Sequence, residues 1–216
     1  FHLLALADDA ALQCANARRW TEKHHPLQRA CASVPLRAPQ DRIRIGYFSA
    51  DFYNHATMAL MIRMLELHDA AQFEIHAFSY GPQIHDALRQ RVAAAVHAFH
   101  DVSTLSDEAT AQFARDLGID IAVDLKGYTE NGRLGIFAWG AAPRQISYLG
   151  YPGSTGADYV DHLLADRVIV PEERQAAYSE RLLYLPGSYQ INDSAREIAP
   201  RRPTRSELGL PERGFV

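Results

Sequence analysis

The chain has 216 residues, of which 47% are hydrophobic, and 22 Lys and Arg stand against 26 Asp and Glu. This apolar content supports a folded core and excludes an intrinsically disordered chain, which combines low hydrophobicity with high net charge. The nearly balanced charge argues against a broadly basic nucleic-acid-binding surface, and no apolar run approaches the roughly 20 residues that span a bilayer. We therefore expect a globular, cytoplasmic protein that binds neither nucleic acid nor membrane.

The chain opens on a helical pattern. Apolar residues recur at helical spacing through residues 1–24, and no Gly or Pro interrupts them. We expect this helix to pack on the rest of the chain through Leu6, Ala10, Ala17 and Trp20. The pattern starts without the charged stretch of a signal sequence, so we interpret the chain as part of a longer protein. Residues 25–41 contain three prolines and predict a linker.

The cysteines and histidines predict no metal centre. Cys14 and Cys31 are seventeen positions apart without a CxxC partner, so we expect free buried thiols in a cytosolic protein. His24 and His25 are adjacent, and adjacent histidines rarely bind one ion together. We expect four other histidines to lie at the surface or at the edge of the core: His68, His76, His97 and His100.

From residue 42 onward, short apolar strands alternate with helices. The pattern predicts strands at 43–49, 73–78, 119–125, 144–149, 162–164 and 182–185. It predicts helices at 57–67, 86–99 and 106–117. Thr57 is a possible N-cap of the first of these helices, and Gly118 closes the last. This alternation indicates βαβ units and therefore a Rossmann-like, doubly wound α/β fold, with a mostly parallel sheet and helices on both faces.

Ligands of such sheets bind beyond the carboxyl ends of the strands, where the loops 50–56, 126–132 and 150–156 lie. In the first loop, His55 suits proton transfer near neutral pH, and Asp51 can orient it or act as a base itself. The helix that begins after this loop would favour an anion such as a diphosphate. Alternatively, Asp51 and Asn54 only cap the turn, and His55 is a polar loop residue.

The other two loops are less specific when each is taken alone. Loop 126–132 combines a cation, an aromatic ring and two hydroxyls, which fits either a ligand site or a turn with a solvated Lys126. Loop 150–156 contains three glycines, which allow close approach of a ligand to the backbone. It matches neither the Walker loop nor the GxGxxG pattern, so a structural turn is the simpler interpretation.

Taken together and in chain order, these segments resemble the O-linked N-acetylglucosamine transferase family. The motifs are Asp51-Phe52-Tyr53-Asn54-His55, Gly127-Tyr128-Thr129, segment 149–157 and Tyr178-Ser179-Glu180-Arg181-Leu182, extended by Glu22-Lys23-His24, Asp166 and Pro171. The likeness covers most of residues 10–190, and the bacterial, Xanthomonas-type branch is the best match. Two departures bear on acceptor preference: Ala56 stands where animal members have a proline, and Lys126 stands where they have a neutral polar residue.

The resemblance implies a GT-B glycosyltransferase, in which two Rossmann-like lobes face each other after a tetratricopeptide-repeat region. It implies transfer of N-acetylglucosamine from UDP-GlcNAc to Ser or Thr hydroxyls of intracellular proteins, with inversion and with neither a catalytic metal nor a cofactor. The chain would then comprise the end of the helical repeat region and a linker at 1–38. The N-terminal catalytic lobe would follow at 39–187, and a connector to a missing C-terminal nucleotide-binding lobe at 188–216.

The same resemblance implies site residues. His55 and Asp51 would lie near the reacting sugar and diphosphate, and His24 would lie on the acceptor side as a further candidate for the general base, whose identity stays open. The sugar and acceptor pocket would be lined by Asn54, Tyr128, Leu149, Gly150, Tyr151 and Pro152. A lysine that helps the leaving group would lie in the C-terminal lobe, so we expect the chain alone to be inactive.

Two other functions fit the same sequence. The chain could be a peptide- or protein-binding lobe whose transferase activity is weak or lost, or part of a GT-B glycosyltransferase with a non-protein acceptor. Nucleotide-contacting residues in the C-terminal lobe would argue against the first, and repeats before residue 1 would argue against the second. The acceptor protein and the oligomeric state are not predicted by the sequence.

Overall fold

The computed structural model describes residues 2–28, 34–36, 38 and 41–215. The strands in this part of the chain are β1 (Ile43–Ser49), β2 (Phe73–Ser79), β3 (Ala98–Asp101), β4 (Ile121–Asp124), β5 (Arg144–Ser147), β6 (His162–Ala165) and β7 (Arg181–Tyr184). The helices are α1 (Leu3–Leu6), α2 (Ala10–His24), α3 (Ala56–Leu67), α4 (Ala87–Ala95), α5 (Asp107–Asp116) and α6 (Gly135–Ala138), with a 3₁₀ helix at Glu172–Ala177.

These strands form one sheet in the order β3-β2-β1-β4-β5-β6-β7. Every pairing between them is parallel. Strands β2 and β3 are added on one side of β1, and strands β4 to β7 are added on its other side. The direction of strand addition therefore reverses between β1 and β4. The prediction of a Rossmann-like, doubly wound α/β fold is confirmed, and the reversal marks the place where ligands of such sheets bind.

The core lies on both faces of the sheet because alternate strand residues point in opposite directions. On one face, Phe48 stacks on Phe78 at 4.4 Å between ring centroids and meets Phe137 of α6 edge to face. On the other face, the buried Met61 and Val92 of α3 and α4 pack over β1 and β2. Burial of these side chains from both directions fixes the strand ends, and therefore the loops that follow them.

Three predicted boundaries were wrong. The helix expected at 86–99 starts correctly, with Asp86 as its cap, but ends at Ala95. Residues 98–101 extend and pair with β2, so strand pairing overrides the helix propensity of the alanine-rich run before them. Thr57 is not the cap of α3, because the His55 side chain accepts from the Thr57 N–H. The opening helix is divided, since Asp9 caps a new helix, α2.

Small residues, not the expected large ones, pack α2 on the lobe. Ala17 is buried as expected, but Leu6 and Trp20 are 81% and 50% exposed. The face that packs carries Cys14, Ala17 and Thr21, whose short side chains let the helix backbone come close to the loops beneath it. Cys14 is a buried free thiol, as predicted, and Cys31 lies outside the described residues.

A buried histidine network lies on β2 and β3. His76 was expected at the surface or at the edge of the core but is buried, because its ring nitrogens bond Glu74 at 3.1 Å and His100 at 3.0 Å. Burial, together with the neighbouring His76 and His97, lowers the pKa of His100 to about 4. The network is therefore built around uncharged imidazoles.

In the part of the chain that the structure describes, no helix is long and apolar enough to cross a membrane. The division at residues 38 and 187 stays a prediction.

Acid should destabilise the chain through His100. Its pKa is lower in the folded chain than in the unfolded chain, so its stabilising contribution is complete above about pH 6.5 and is lost as the pH falls toward about 4. The free energy of unfolding, measured by urea denaturation, should fall between about pH 7 and about pH 4.5. We expect this fall to be about 1 to 2 kcal/mol larger in the wild type than in His100→Gln. His85→Gln, at an exposed imidazole outside this network, is the control; an equal loss in wild type and His100→Gln would contradict the assignment.

Candidate functional site

The loops after β1 and β4 meet at the reversal of strand order. Lys126 Nζ lies 2.7 Å from Asp51 Oδ2, and the two side chains are only 6% and 5% exposed. This ion pair therefore joins the two strand ends across the crevice where a ligand is expected. The interpretation of Lys126 as a solvated turn residue was wrong, since the turn after β4 directs its side chain inward.

His55 begins α3 and has the same carboxylate beside it. The Thr57 N–H donates to His55 Nδ1 at 3.2 Å, and Asp51 Oδ2 lies 3.4 Å from the same nitrogen. A ring nitrogen that accepts a hydrogen bond has no proton to donate, so the contact with Asp51 is electrostatic and not a hydrogen bond. The proton of the neutral ring is then on Nε2, and His55 presents a hydrogen-bond donor.

Asn54 lies on the other side of this loop. Its backbone N–H donates to Asp86 Oδ2 at 2.6 Å, and the other oxygen of Asp86 caps α4. The exposed Asn54 lines a surface cavity of about 390 Å³ together with Leu88 and Arg91. The structure therefore places Asn54 beside α4, and its role as a pocket residue stays a prediction.

Asp124 shapes the loop after β4 and was missed by sequence reasoning. Its buried carboxylate accepts from the backbone N–H groups of Lys126 at 2.9 Å and Gly127 at 3.0 Å. Burial nevertheless raises the pKa of Asp124 to about 6. The turn it stabilises directs Lys126 toward Asp51 and places Tyr128 on the neighbouring loop. The sequence feature that could have indicated Asp124 is its position as the polar last residue of an otherwise apolar strand.

Tyr128 and Tyr151 form the aromatic part of the site. Their rings meet edge to face at 5.3 Å between centroids, and the Tyr128 hydroxyl donates to the Thr155 carbonyl at 2.5 Å. Burial raises the pKa of each phenol to about 12. Both hydroxyls therefore keep their protons at neutral pH, and that of Tyr128 is used as a hydrogen-bond donor.

The glycine-rich loop after β5 owes its shape to close packing. Leu149 has a φ of 68°, and a Cβ on Gly150 would lie 1.9 Å from the Leu125 carbonyl oxygen. Glu180, which is 1% exposed, accepts from Ser154 Oγ at 2.8 Å and from the Thr155 N–H at 2.7 Å. Loop 149–157 is thus a fixed wall of the site. Leu149 and Gly150 are half-buried in it, Tyr151 is buried and Pro152 is exposed.

Helix α2 covers this wall. A Cβ on Gly156 would lie 2.3 Å from the Arg18 backbone nitrogen, and Thr21 Oγ1 donates to the Thr155 carbonyl at 2.7 Å. The Tyr128 hydroxyl donates to the same carbonyl and lies in direct contact with Thr21 Oγ1. Between α1, α2 and the two tyrosines lies a cavity of about 360 Å³, to which Trp20 contributes. The helix therefore carries its C-terminal end to the same edge of the sheet as the loops.

His24 is the last residue of α2 and is exposed. Its ring stacks on Trp20 at 3.9 Å, and its Nδ1 lies 3.0 Å from the Trp20 carbonyl oxygen. Because a carbonyl only accepts, Nδ1 carries the proton, and Nε2 of the neutral ring has a free lone pair. His24 and His55 are thus in opposite tautomers: one offers an acceptor and the other a donor.

Among the described residues, no three His, Cys, Asp or Glu side chains are placed to hold one metal ion. The loops instead offer hydroxyls, backbone groups, an ion pair and two imidazoles. Such groups suit the binding and orientation of a polar substrate and the transfer of a proton.

Comparison with known proteins identifies the family. The profile of glycosyl transferase family 41 matches residues 8–202 of the chain. The chain belongs to this family. The resemblance to the O-linked N-acetylglucosamine transferases is thereby confirmed, whereas membership of a bacterial branch stays a prediction.

Individual family members are similar over most of the chain. The probable UDP-N-acetylglucosamine–peptide N-acetylglucosaminyltransferase SEC of Arabidopsis thaliana is 38% identical over 81% of the chain and 18% of its own length. The UDP-N-acetylglucosamine–peptide N-acetylglucosaminyltransferase of Caenorhabditis elegans is 36% identical over 73% of the chain and 14% of its own length. A mutant O-GlcNAc transferase of Thermobaculum terrenum superposes with a TM-score of 0.77 at 30% identity, over 84% of this chain and 35% of that one. The chain therefore spans less than a fifth of the two curated relatives and about a third of the solved structure.

The contact between Gly156 and α2 gives a testable prediction. Gly156→Ala adds a methyl group 2.3 Å from a backbone atom at a φ of 67°, so α2 must move away from the loop. We expect amide hydrogen exchange in α2 to accelerate at least about tenfold. In Gly153→Ala, the added methyl meets only side-chain atoms at 3.1 to 3.2 Å, so this variant is the matched control. Unchanged exchange in Gly156→Ala would show that α2 does not depend on this contact.

Proposed function

We propose that the protein containing this chain transfers N-acetylglucosamine from UDP-GlcNAc to Ser or Thr hydroxyls of proteins. In this proposal the chain supplies the acceptor-side lobe, and a C-terminal lobe of the same protein supplies most of the nucleotide site. The reaction inverts the anomeric centre and needs neither a catalytic metal nor a cofactor. The location is cytoplasmic.

The observation that carries the proposal is the convergence of the family motifs at one place in the fold. The motif loops after β1, β4 and β5 all lie at the carboxyl edge of the sheet, beside the reversal of strand order. The Lys126–Asp51 ion pair joins the first two loops, and Tyr128 and Tyr151 join the second to the third. The names of the relatives supply the donor and the class of acceptor.

His24 is the better placed of the candidate bases. An inverting displacement needs a group that accepts the proton of the acceptor hydroxyl as the new bond forms. In His24 the Trp20 carbonyl holds the proton on Nδ1, so Nε2 is free to accept one. Asp51 is already paired with Lys126, and His55 has its Nδ1 occupied by the Thr57 N–H.

His55 then acts as a donor. Its Nε2–H can hydrogen-bond an oxygen of the sugar or of the diphosphate, where negative charge develops as UDP leaves. Its position at the start of α3 adds the partial positive charge of a helix N-terminus. Asp51 holds the loop through Lys126 and does not remove a proton in this scheme.

The remaining residues bind and orient the substrates. Tyr128, Tyr151 and the exposed Pro152 face the cavity region beneath α2, where an extended polypeptide acceptor can lie. Leu149 and Gly150 provide backbone at the wall of the site. Asn54, beside α4, contacts the donor or the C-terminal lobe in this proposal.

The first test is transfer of labelled sugar from UDP-GlcNAc to a bacterial lysate by the complete protein. His55→Ala removes the donor to the developing charge, so we expect transfer to fall by about 100-fold or more. His85→Ala, which removes an exposed imidazole elsewhere, is the matched control and should retain activity. Transfer that survives His55→Ala would contradict the role of His55. Absence of transfer by the wild type, with UDP bound, would favour a binding lobe or a non-protein acceptor.

The second test addresses the base. His24→Ala removes the free Nε2 lone pair, and we expect kcat to fall by about 100-fold or more while KM for UDP-GlcNAc changes little. His25→Ala removes the adjacent imidazole and should have a much smaller effect. Equal losses in the two variants would indicate that the end of α2 is only a structural element.

A further inference from the structure

We propose that Lys126 is a positioning residue that neutralises Asp51 and thereby keeps His55 uncharged, with its proton on Nε2. The inference adds a residue to the site and assigns the ring of His55 a defined state. The role of the His55 ring in catalysis rests on the proposed function, whereas the effect of Lys126 on the charge of that ring does not.

The geometry concerns a single oxygen atom. Asp51 Oδ2 lies 2.7 Å from Lys126 Nζ and 3.4 Å from His55 Nδ1. The charge that faces the imidazole is therefore the same charge that the ammonium group compensates. An uncompensated carboxylate at this distance would favour the imidazolium form of a histidine.

The backbone opposes the same protonation. The Thr57 N–H donates to His55 Nδ1 and caps α3. A proton on Nδ1 would remove this acceptor and turn the ring N–H toward Asp51 instead. With Lys126 in place, the amide of Thr57 holds Nδ1; without Lys126, the carboxylate competes for that nitrogen.

Other groups around the pair do not replace Lys126. The ring of Tyr53 lies 5.8 Å from that of His55, and Asp51 and Glu130 add to the effect of burial in raising the pKa of Tyr53. Tyr80, near Asp51 and Asp124, is fully buried, which raises its pKa far above the usual value. Both phenols are thus neutral, and Glu130 adds negative charge.

On the α4 side, Asp86 binds the backbone of Asn54 and the first turn of α4. The cation there, Arg91, is paired with Glu66 and Asp193. Arg133 lies over the ring of Tyr80 at 5.4 Å and forms its ion pair with Asp107. Lys126 is therefore the cation that compensates Asp51 in the part of the chain that the structure describes.

The side chain of Lys126 is too deeply buried to contact a substrate directly. The side chains of Lys126 and Asp51 are 6% and 5% exposed, whereas that of His55 is 37% exposed. The imidazole is the member of the trio that can meet a ligand. Lys126 acts on a ligand through Asp51 and His55.

The test is ¹⁵N NMR of the histidine rings in the full chain, which reports both tautomer and charge of His55. In the wild type we expect the neutral, Nε2-protonated ring. Lys126→Met, which keeps length without charge, should raise the ratio of charged to neutral His55 at least about tenfold at the same pH. Lys126→Gln, which keeps a hydrogen-bond donor without charge, should do the same and serves where the Met variant fails to fold.

Two controls isolate the electrostatic cause. Adding Asp51→Asn to the Lys126 variants removes the carboxylate and should return the ratio to the wild-type value. Lys126→Arg, which keeps the charge, should leave it near that value. An unchanged ratio in folded Lys126→Met and Lys126→Gln would overturn the inference, as would a rise that persists when Asp51 is replaced. Because this measurement needs no turnover, failure of sugar transfer would sink the proposed function and leave this inference standing.

Discussion

The buried ion pair between Lys126 and Asp51 is the contact on which the geometry of the site depends. It joins the ends of β1 and β4 at the point where the strand order reverses. Removing two charges from water is costly, and the cost is offset only when each finds its partner with good geometry. The pair therefore fixes the loops after β1 and β4 relative to each other. The positions of His55 in the first loop and Tyr128 in the second follow from it.

Two further buried carboxylates extend the same principle along the edge of the sheet. Asp124 folds the loop after β4 around its own strand end, and Glu180 holds the loop after β5 through Ser154 and Thr155. Each carboxylate satisfies backbone or hydroxyl donors that would otherwise be buried without partners. Loops that carry many glycines and polar residues are thereby as well determined as the strands beneath them.

The alternation of apolar strands and helices was enough to predict the fold, because burial on both faces of a parallel sheet leaves a strong pattern. β3 was missed because it is only four residues long and the alanines before it favour a helix. The motif of loop 50–56 indicated Asp51 and His55, but not that Lys126 would turn inward to meet them. Nor does a sequence contain the tautomers of His24 and His55, which depend on one carbonyl and one amide in the folded chain.

The contact of Gly156 with the backbone of α2 has a mechanical consequence. No methyl group fits between α2 and the glycine-rich loop, so their backbones are in direct contact. A displacement of the helix therefore requires a displacement of the loop. Thr21 links the same helix to Tyr128, because both hydroxyls donate to the Thr155 carbonyl. A displacement of α2 is therefore expected to move Tyr128 and Tyr151 as well. The width of the cavity between α1, α2 and the two tyrosines therefore depends on the position of α2.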